Sequence, residues 1–206
     1  MFDTLVNFDR NLFLILNDLH SPMLDSIMWW IADRFIWIPL YVLIAVTLYR
    51  KFGFQSVYMI LFGGLLIVLS DQSSVLIKNN VERLRPCHDE TISLMVHLVK
   101  NKCGGQFGFV SSHAANTMAL LTYFLLLTRN SVRWMTYTLV VWVMLIGYCR
   151  IYMGVHFPAD IVGGWIVGVL SAGITYVLYR LRFDSPPSQL KRKTCYLFSP
   201  AAVLVR

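Results

Sequence analysis

Apolar residues fill this chain in runs long enough to cross a bilayer, and polar residues collect between the runs. Over residues 27–49 only Asp33 and Arg34 carry charge, and Trp29, Trp30 and Trp37 lie toward one end, where amphipathic rings favour the membrane boundary. Comparable runs occupy residues 55–77, 114–128, 134–152 and 158–179. Since about 20 apolar residues make one crossing, the pattern predicts five transmembrane helices. Residues 4–19 read differently. Leu5, Phe8, Leu12, Ile15, Leu16 and Leu19 recur at near-helical spacing while Asp9 and Asn17 lie elsewhere, which predicts an interfacial helix. In the last run Gly164 and Gly168 form a Gly-x-x-x-Gly pair, which lets a second helix approach closely.

Composition agrees with this pattern. Of 206 residues 57% are hydrophobic and 14% charged, and the mean hydropathy is +0.60, so the expected fold is an all-α polytopic membrane bundle. The spans consume most of the length, which leaves one domain over residues 1–206 and no room for a separate soluble module. A net charge of +7 would suggest nucleic acid in a soluble protein, but these cations flank apolar runs or sit in the motifs below. No nucleic-acid partner is expected. Five spans put Arg50 and Lys51, Arg129 and Arg133, and a basic tail over residues 180–206 on one face, which the positive-inside rule makes cytoplasmic. Asp3, Asp9, Arg10 and Asp18 interrupt the N-terminal sequence, so a cleavable signal peptide is not expected.

Four cysteines without a Cys-x-x-Cys pair indicate neither a zinc site nor a redox motif. Cys87 and Cys103 bracket the polar loop after the second span. Either they bridge it, stabilising the fold by roughly 3 kcal/mol in an oxidising compartment, or they are two free thiols; spacing alone does not decide.

Three segments hold residues that packing does not require, and the five-span topology puts all three at the outer ends of their helices. Lys78 and Arg85 lie two helical turns apart until Pro86 biases Arg85 out of the helical region, so a phosphate can be held from two sides. Two cations snorkelling at a helix end would look the same. Ser111, Ser112 and His113 follow a glycine-bearing approach and open a new helix, where orphan amides and the helix dipole attract an anion. His113 then stands within reach of a bound phosphate, or serves as a polar residue at headgroup level. Arg150, His156 and Asp160 cluster where Gly154 breaks one span and Pro158 starts the next. A carboxylate four residues beyond His156 can fix one ring nitrogen and leave the other free as a nucleophile. Ionisable groups so near a membrane interior are costly and usually functional, although an interhelical ion pair is the plain alternative.

Read in order, Lys78-x6-Arg85-Pro86, Val110-Ser111-Ser112-His113 and Arg150-x5-His156-x3-Asp160 resemble the signature of the type 2 phosphatidic acid phosphatases, lipid phosphatases that share their site with vanadium haloperoxidases. Val110 and Ser112 stand where that pattern has proline and glycine, and Cys149 replaces a serine. The resemblance implies that His156 attacks phosphorus to form a phosphohistidine and that Asp160 orients it. It implies that His113 protonates the leaving lipid oxygen and later activates water. Lys78, Arg85, Arg150, Ser111 and Ser112 would hold the nonbridging oxygens. No metal or other cofactor is implied. The partners are the bilayer and a lipid substrate on the outer side of a bacterial cytoplasmic membrane: undecaprenyl diphosphate or a lipid A phosphate, then phosphatidylglycerol phosphate or phosphatidic acid. Binding or transport of such a lipid without hydrolysis is the competing class, but it has no use for two histidines and Asp160. Halide oxidation has no use for a lipid-facing mouth.

Asp71 shares a face of the second span with Ser74 and Lys78 and lies roughly 10 Å inward from the cation by helical rise. It either balances the basic cluster or serves structure alone. Glu82, Arg83, Asp89 and Glu90 read as solvated, and His20, His88 and His97 as residues without chemistry.

Overall fold

The computed structural model describes residues 2–183, so the expected basic tail lies almost entirely outside the described residues. The described residues form a bundle of seven α-helices: α1 (Phe2–Asn17), α2 (Pro22–Ala32), α3 (Ile38–Phe52), α4 (Gln55–Val81), α5 (Ser112–Thr128), α6 (Arg133–Tyr152) and α7 (Pro158–Phe183). Among the described residues four stretches are long and apolar enough to cross a membrane: Arg34–Phe52, α4, α6 and α7. At 17 residues α5 is shorter, and it is enclosed by α4, α6 and α7.

The run expected as one helix over residues 27–49 is broken. Asp33 has extended backbone (φ −75°, ψ 127°), and its carboxylate accepts from Phe35 N at 2.9 Å, capping a 3-10 turn over Arg34–Trp37 that leads into α3. A short acidic side chain offers the backbone an alternative to the helical ladder, and here that alternative outweighs the apolar periodicity around it. Upstream, Ser21 caps α2 and Pro22 opens it.

The expected close approach in the last span is present between α7 and α5. A Cβ on Gly164 would lie 2.6 Å from Ser111 O, and one on Gly168 would overlap Ala115 O, so neither site admits a side chain. This contact places the start of α5 against the start of α7, where Ser111 N donates to Asp160 O at 3.0 Å. A buried cluster around Ile44, Leu66, Tyr123, Trp142 and Ala172 fills the middle of the bundle. A second cluster, with Phe13, Ala114, Ile151, Phe157 and Ile161, packs α1 beneath the turn between α6 and α7.

The connection between α4 and α5 is held from several sides. α4 continues through Lys78 and ends at Glu82 in the left-handed region (φ 51°). Leu84 pairs with Phe107, Arg85 N donates to Gln106 O at 3.1 Å, and Gly108 N donates to Arg83 O at 2.8 Å. Cys87 and Cys103 are disulfide-bonded, which decides between the two readings of that pair. Asp89, expected to be solvated, is 8% exposed and takes two hydrogen bonds from Arg10 of α1 (3.1 and 2.8 Å). His20 and His97 serve structure: their rings stack at 3.8 Å, and His97 Nε2 lies 2.9 Å from Asp25 Oδ1. At the opposite end of the bundle Lys51 Nζ donates to Ser131 O at 2.6 Å, bringing Arg50, Lys51, Arg129 and Arg133 to one surface.

Candidate active site

Pre-proline geometry sets the first cation. Arg85 is extended (φ −71°, ψ 158°), as the residue before Pro86 must be, and this turns its side chain away from the axis of α4. Its Nε donates to Phe107 O and its Nη1 to Val155 O, both at 3.2 Å, while Nη1 also lies 3.4 Å from His156 Nε2. Arginine only donates, so His156 Nε2 carries the lone pair and Nδ1 the proton. That proton points to Asp160 Oδ2 at 3.4 Å. Gly154, with φ +76°, allows the tight turn that delivers His156; a Cβ there would lie 2.6 Å from His97 O.

His156 and Asp160 are 2% and 0% exposed. Burial pushes the His156 imidazole down to about 4; the Asp160 carboxylate opposes this, and the Arg85 and Lys78 charges add to it. The imidazole is therefore neutral at pH 7. Asp160 Oδ2 also accepts from Phe157 N at 2.9 Å, and Oδ1 accepts from Arg83 Nη1 at 2.8 Å.

Ser111 is the N-cap of α5, and its hydroxyl oxygen accepts from Ala114 N at 3.5 Å. Ser112 Oγ lies 3.5 Å from Lys78 Nζ, which links the first and second motifs. His113 is open at the surface of a cavity and close enough to Arg150, His156, Lys78 and Arg85 to interact with all four through charge. Arg150 is 8% exposed; its Nη2 donates to Ala32 O at 3.2 Å and its Nε is buried without a partner. All the residues expected from the three motifs thus meet at one end of the bundle. Asp71 lines the same cavity as His113 and Arg150, and its charge acts on Lys78.

The cavity holds about 670 Å³. From Asp71 to Ile60 and from His113 to Phe124 its walls run eleven residues along α4 and α5, about 16 Å of helix each. Its far end is apolar, with Ile44, Ile60, Gly64, Leu120, Phe124 and Trp142. Polar groups crowd one end and the other is greasy, as an amphiphile requires.

Arg83 was expected in solvent and is instead part of the site. It bridges Asp160 and Asp9 (2.6 Å), and its guanidinium lies 4.3 Å from the Phe157 ring centroid. Its sequence signal was hidden by its neighbours, because one arginine beside Glu82 in a polar loop looks like any loop cation. Asp9 was equally hidden on an amphipathic helix. Cys87, His88 and Cys103 also come together, but the two sulfurs bond to each other, which leaves one imidazole and no ligand set.

Residues 52–184 match the PAP2 superfamily. The lipid A 4'-phosphatase of Bacteroides thetaiotaomicron is 33% identical over 194 residues, covering 90% of this chain and 85% of that protein. The lipid A 4'-phosphatase of Porphyromonas gingivalis is 34% identical over 179 residues, covering 85% and 74%. The crystal structure of Aquifex aeolicus LpxE superimposes with a TM-score of 0.59 at 25% identity, over 80% of this chain and 92% of that one. With His113 and Arg150 of its motifs lining a cavity that is polar at one end and apolar at the other, the chain belongs to the PAP2 superfamily and is a multi-pass membrane phosphatase acting on a membrane lipid phosphate.

Proposed function

We propose that this protein removes a phosphate from lipid A at the outer face of a bacterial inner membrane, through a phosphohistidine on His156. The observation that carries the chemistry is a buried neutral imidazole whose Nδ1–H is directed at Asp160 and whose Nε2 lone pair faces a cation. The choice of lipid rests on the likeness to two lipid A 4'-phosphatases over most of both chains. Undecaprenyl diphosphate is the next candidate substrate.

In the first step His156 Nε2 bonds to phosphorus, the bond to the lipid oxygen breaks, and His113 gives that oxygen a proton. In the second, His113 takes a proton from water as the water oxygen attacks phosphorus, freeing phosphate and the imidazole. Lys78, Arg85, Arg150 and the start of α5 hold the nonbridging oxygens as charge moves among them. Three fixed cations supply the charge that bound ions supply elsewhere, so no metal takes part. The acyl chains occupy the apolar end of the cavity.

In this reading α1 lies in the interface and α5 completes five crossings, short but sheathed by its neighbours. The basic surface at Arg50, Lys51, Arg129 and Arg133 faces the cytoplasm, which puts His156 outside. A cysteine placed at Asn101 should be labelled by an impermeant reagent in intact cells; labelling only after lysis reverses the orientation.

The deciding experiment measures phosphate release in detergent from lipid A, undecaprenyl diphosphate, phosphatidylglycerol phosphate and phosphatidic acid, with excess EDTA throughout. Fastest release from lipid A, abolished in His156→Ala, is expected. Release that EDTA stops, or that His156→Ala leaves intact, overturns the mechanism; faster release from another lipid replaces the substrate.

A further inference from the structure

The superfamily match begins at residue 52 and so leaves α1 unexplained. An interfacial helix needs only an apolar face and a wet one. This helix instead sends three polar side chains inward, all to the end that carries the motifs. Asn17, 1% exposed, donates to His97 O, Ile151 O and Tyr152 O and accepts from His97 N. Arg10 holds Asp89. Asp9, 8% exposed, accepts from Arg83 Nη2 at 2.6 Å through Oδ2 and from Ala159 N at 2.9 Å through Oδ1.

The third of these closes a ring. Asp9 holds Arg83, Arg83 holds Asp160 Oδ1, and Asp9 also holds the backbone of Ala159, the residue before Asp160. Phe157, between His156 and Asp160 in the chain, forms the floor on which the guanidinium lies. Each member is fixed from two directions.

We propose that Asp9 is a positioning residue. Through Arg83 it fixes the Asp160 carboxylate that orients His156, which makes α1 part of the machinery and not only a membrane anchor. The proposal rests on the reading of His156 as nucleophile with Asp160 behind it.

Two physical effects support the assignment. The first is geometric. Asp160 is wholly buried; Oδ2 serves Phe157 N and His156 Nδ1, and Oδ1 receives Arg83. Without Arg83 one oxygen of a dry carboxylate loses its donor, and rotation about Cβ–Cγ no longer has a single answer, so the imidazole loses its aim. The second is electrostatic. Arg83 alone would neutralise Asp160 and weaken its hold on the Nδ1 proton. With Asp9 on the other side the guanidinium is shared, and the trio keeps a net negative charge beside an imidazole that becomes cationic when it bonds to phosphorus.

The test compares Asp9→Asn, Arg83→Ala and the double variant, using the lipid phosphate that the wild type turns over best. Asp9→Asn keeps an oxygen for Ala159 N and replaces the charged acceptor that faces Arg83 with an amide donor. We expect kcat to fall about ten-fold or more in each single variant with KM within about two-fold, since the groups holding phosphate are untouched. The double variant should be no slower than Arg83→Ala, and neither change should matter further in an Asp160→Asn background. Asp3→Asn, the same charge removed from an exposed position on the same helix, should behave as wild type. If Arg83→Ala is recovered aggregated, Arg83→Lys carries the test, because an ammonium cannot grip both carboxylates and kcat should still fall. Unchanged kcat, strictly additive losses, or losses that vanish once unfolded protein is subtracted by a thermal melt would overturn the proposal. A fully active His156→Ala would instead remove the reading beneath it.

Discussion

His156 has two sides, and they are built on opposite principles. Behind it every group is matched: Asp160 with Arg83 and Phe157 N, Arg83 with Asp9, Asp9 with Ala159 N. In front of it the groups are in excess. His113 is open to the cavity, Arg150 Nε is buried without a partner, and Lys78 reaches Ser112 only at 3.5 Å. The rear fixes a direction before substrate arrives, and the front holds uncompensated positive charge that a tetrahedral anion completes. Fixed orientation and uncompensated positive charge are different ways to lower a barrier, and they fail differently when mutated.

The largest expected effect removes the groups that touch the reacting atoms. His156→Ala and His113→Ala should each lower kcat by about four orders of magnitude or more. They should differ in what accumulates. With labelled lipid phosphate and rapid quenching, His156→Ala yields no phosphoenzyme. His113→Ala, given an activated leaving group that needs no proton, yields one that hydrolyses slowly. Label retained on His156→Ala would place the nucleophile elsewhere.

Next in size is Arg150, the most deeply buried of the front cations. Arg150→Ala should cost about 10²–10³ in kcat/KM, in the range of a lost transition-state donor. Its melting temperature in detergent should hold or rise, because a buried charge with an unpaired Nε is removed. Arg83→Ala should do the reverse and lose stability, since it strands two carboxylates. If both variants melt alike, the contrast between front and rear is wrong.

The pH profile is a subtler probe of the same contrast. His156 is pushed down to about 4, so it stays neutral as pH falls through the range where an ordinary imidazole is protonated. At pH 5.5 about a tenth of an unperturbed imidazole is neutral, against nearly all of His156. Once the ionisation of the substrate phosphate is allowed for, kcat/KM should show no acid-side limb near 6.5, that is, no loss as pH falls through that value. Stability runs the other way: the unfolded chain gains the proton first, so folding weakens as pH drops from 6.5 toward 4. Activity that falls as pH drops through 6.5 would mean that the His156 imidazole is wet.

The front of the site and Asp160 were legible in the sequence, and the rest of the rear was not. Lys78, Arg85, His113, Arg150, His156 and Asp160 stand out because charge is expensive at bilayer depth, so its presence there already argues for use. Arg83 and Asp9 lie in polar surroundings where charge is cheap, and only tertiary folding brings them together over a separation of 74 residues. The same asymmetry runs through the fold. Gly164 and Gly168 announced a close helix approach, though not that α5 makes it, because a missing side chain is itself a local signal. The break at Asp33 was hidden, because one capping hydrogen bond to Phe35 N overrides a long apolar run and leaves no trace in its periodicity. The pairing of Cys87 with Cys103 could not be read from spacing, since a bridge depends on where the loop carries both Cβ atoms.

The smallest expected effect belongs to Asp71, which lies on the front side and works against it. It lines the cavity with His113 and Arg150, roughly 10 Å from Lys78 along α4, and no motif contains it. At that distance one charge acts on another by about 0.4 kcal/mol in water and about 1.7 kcal/mol at an effective dielectric of 20. A carboxylate there offsets the repulsion among the cations while the site is empty and opposes the anion when it enters. Asp71→Asn keeps the shape and removes the charge. KM for the lipid phosphate and the inhibition constant of inorganic phosphate should therefore both fall, by about two- to ten-fold, with kcat little altered. The empty enzyme should melt at a lower temperature, and added phosphate should restore it. A weaker KM, or no change in either constant, would mean that Asp71 serves helix packing and that the cations set their own balance.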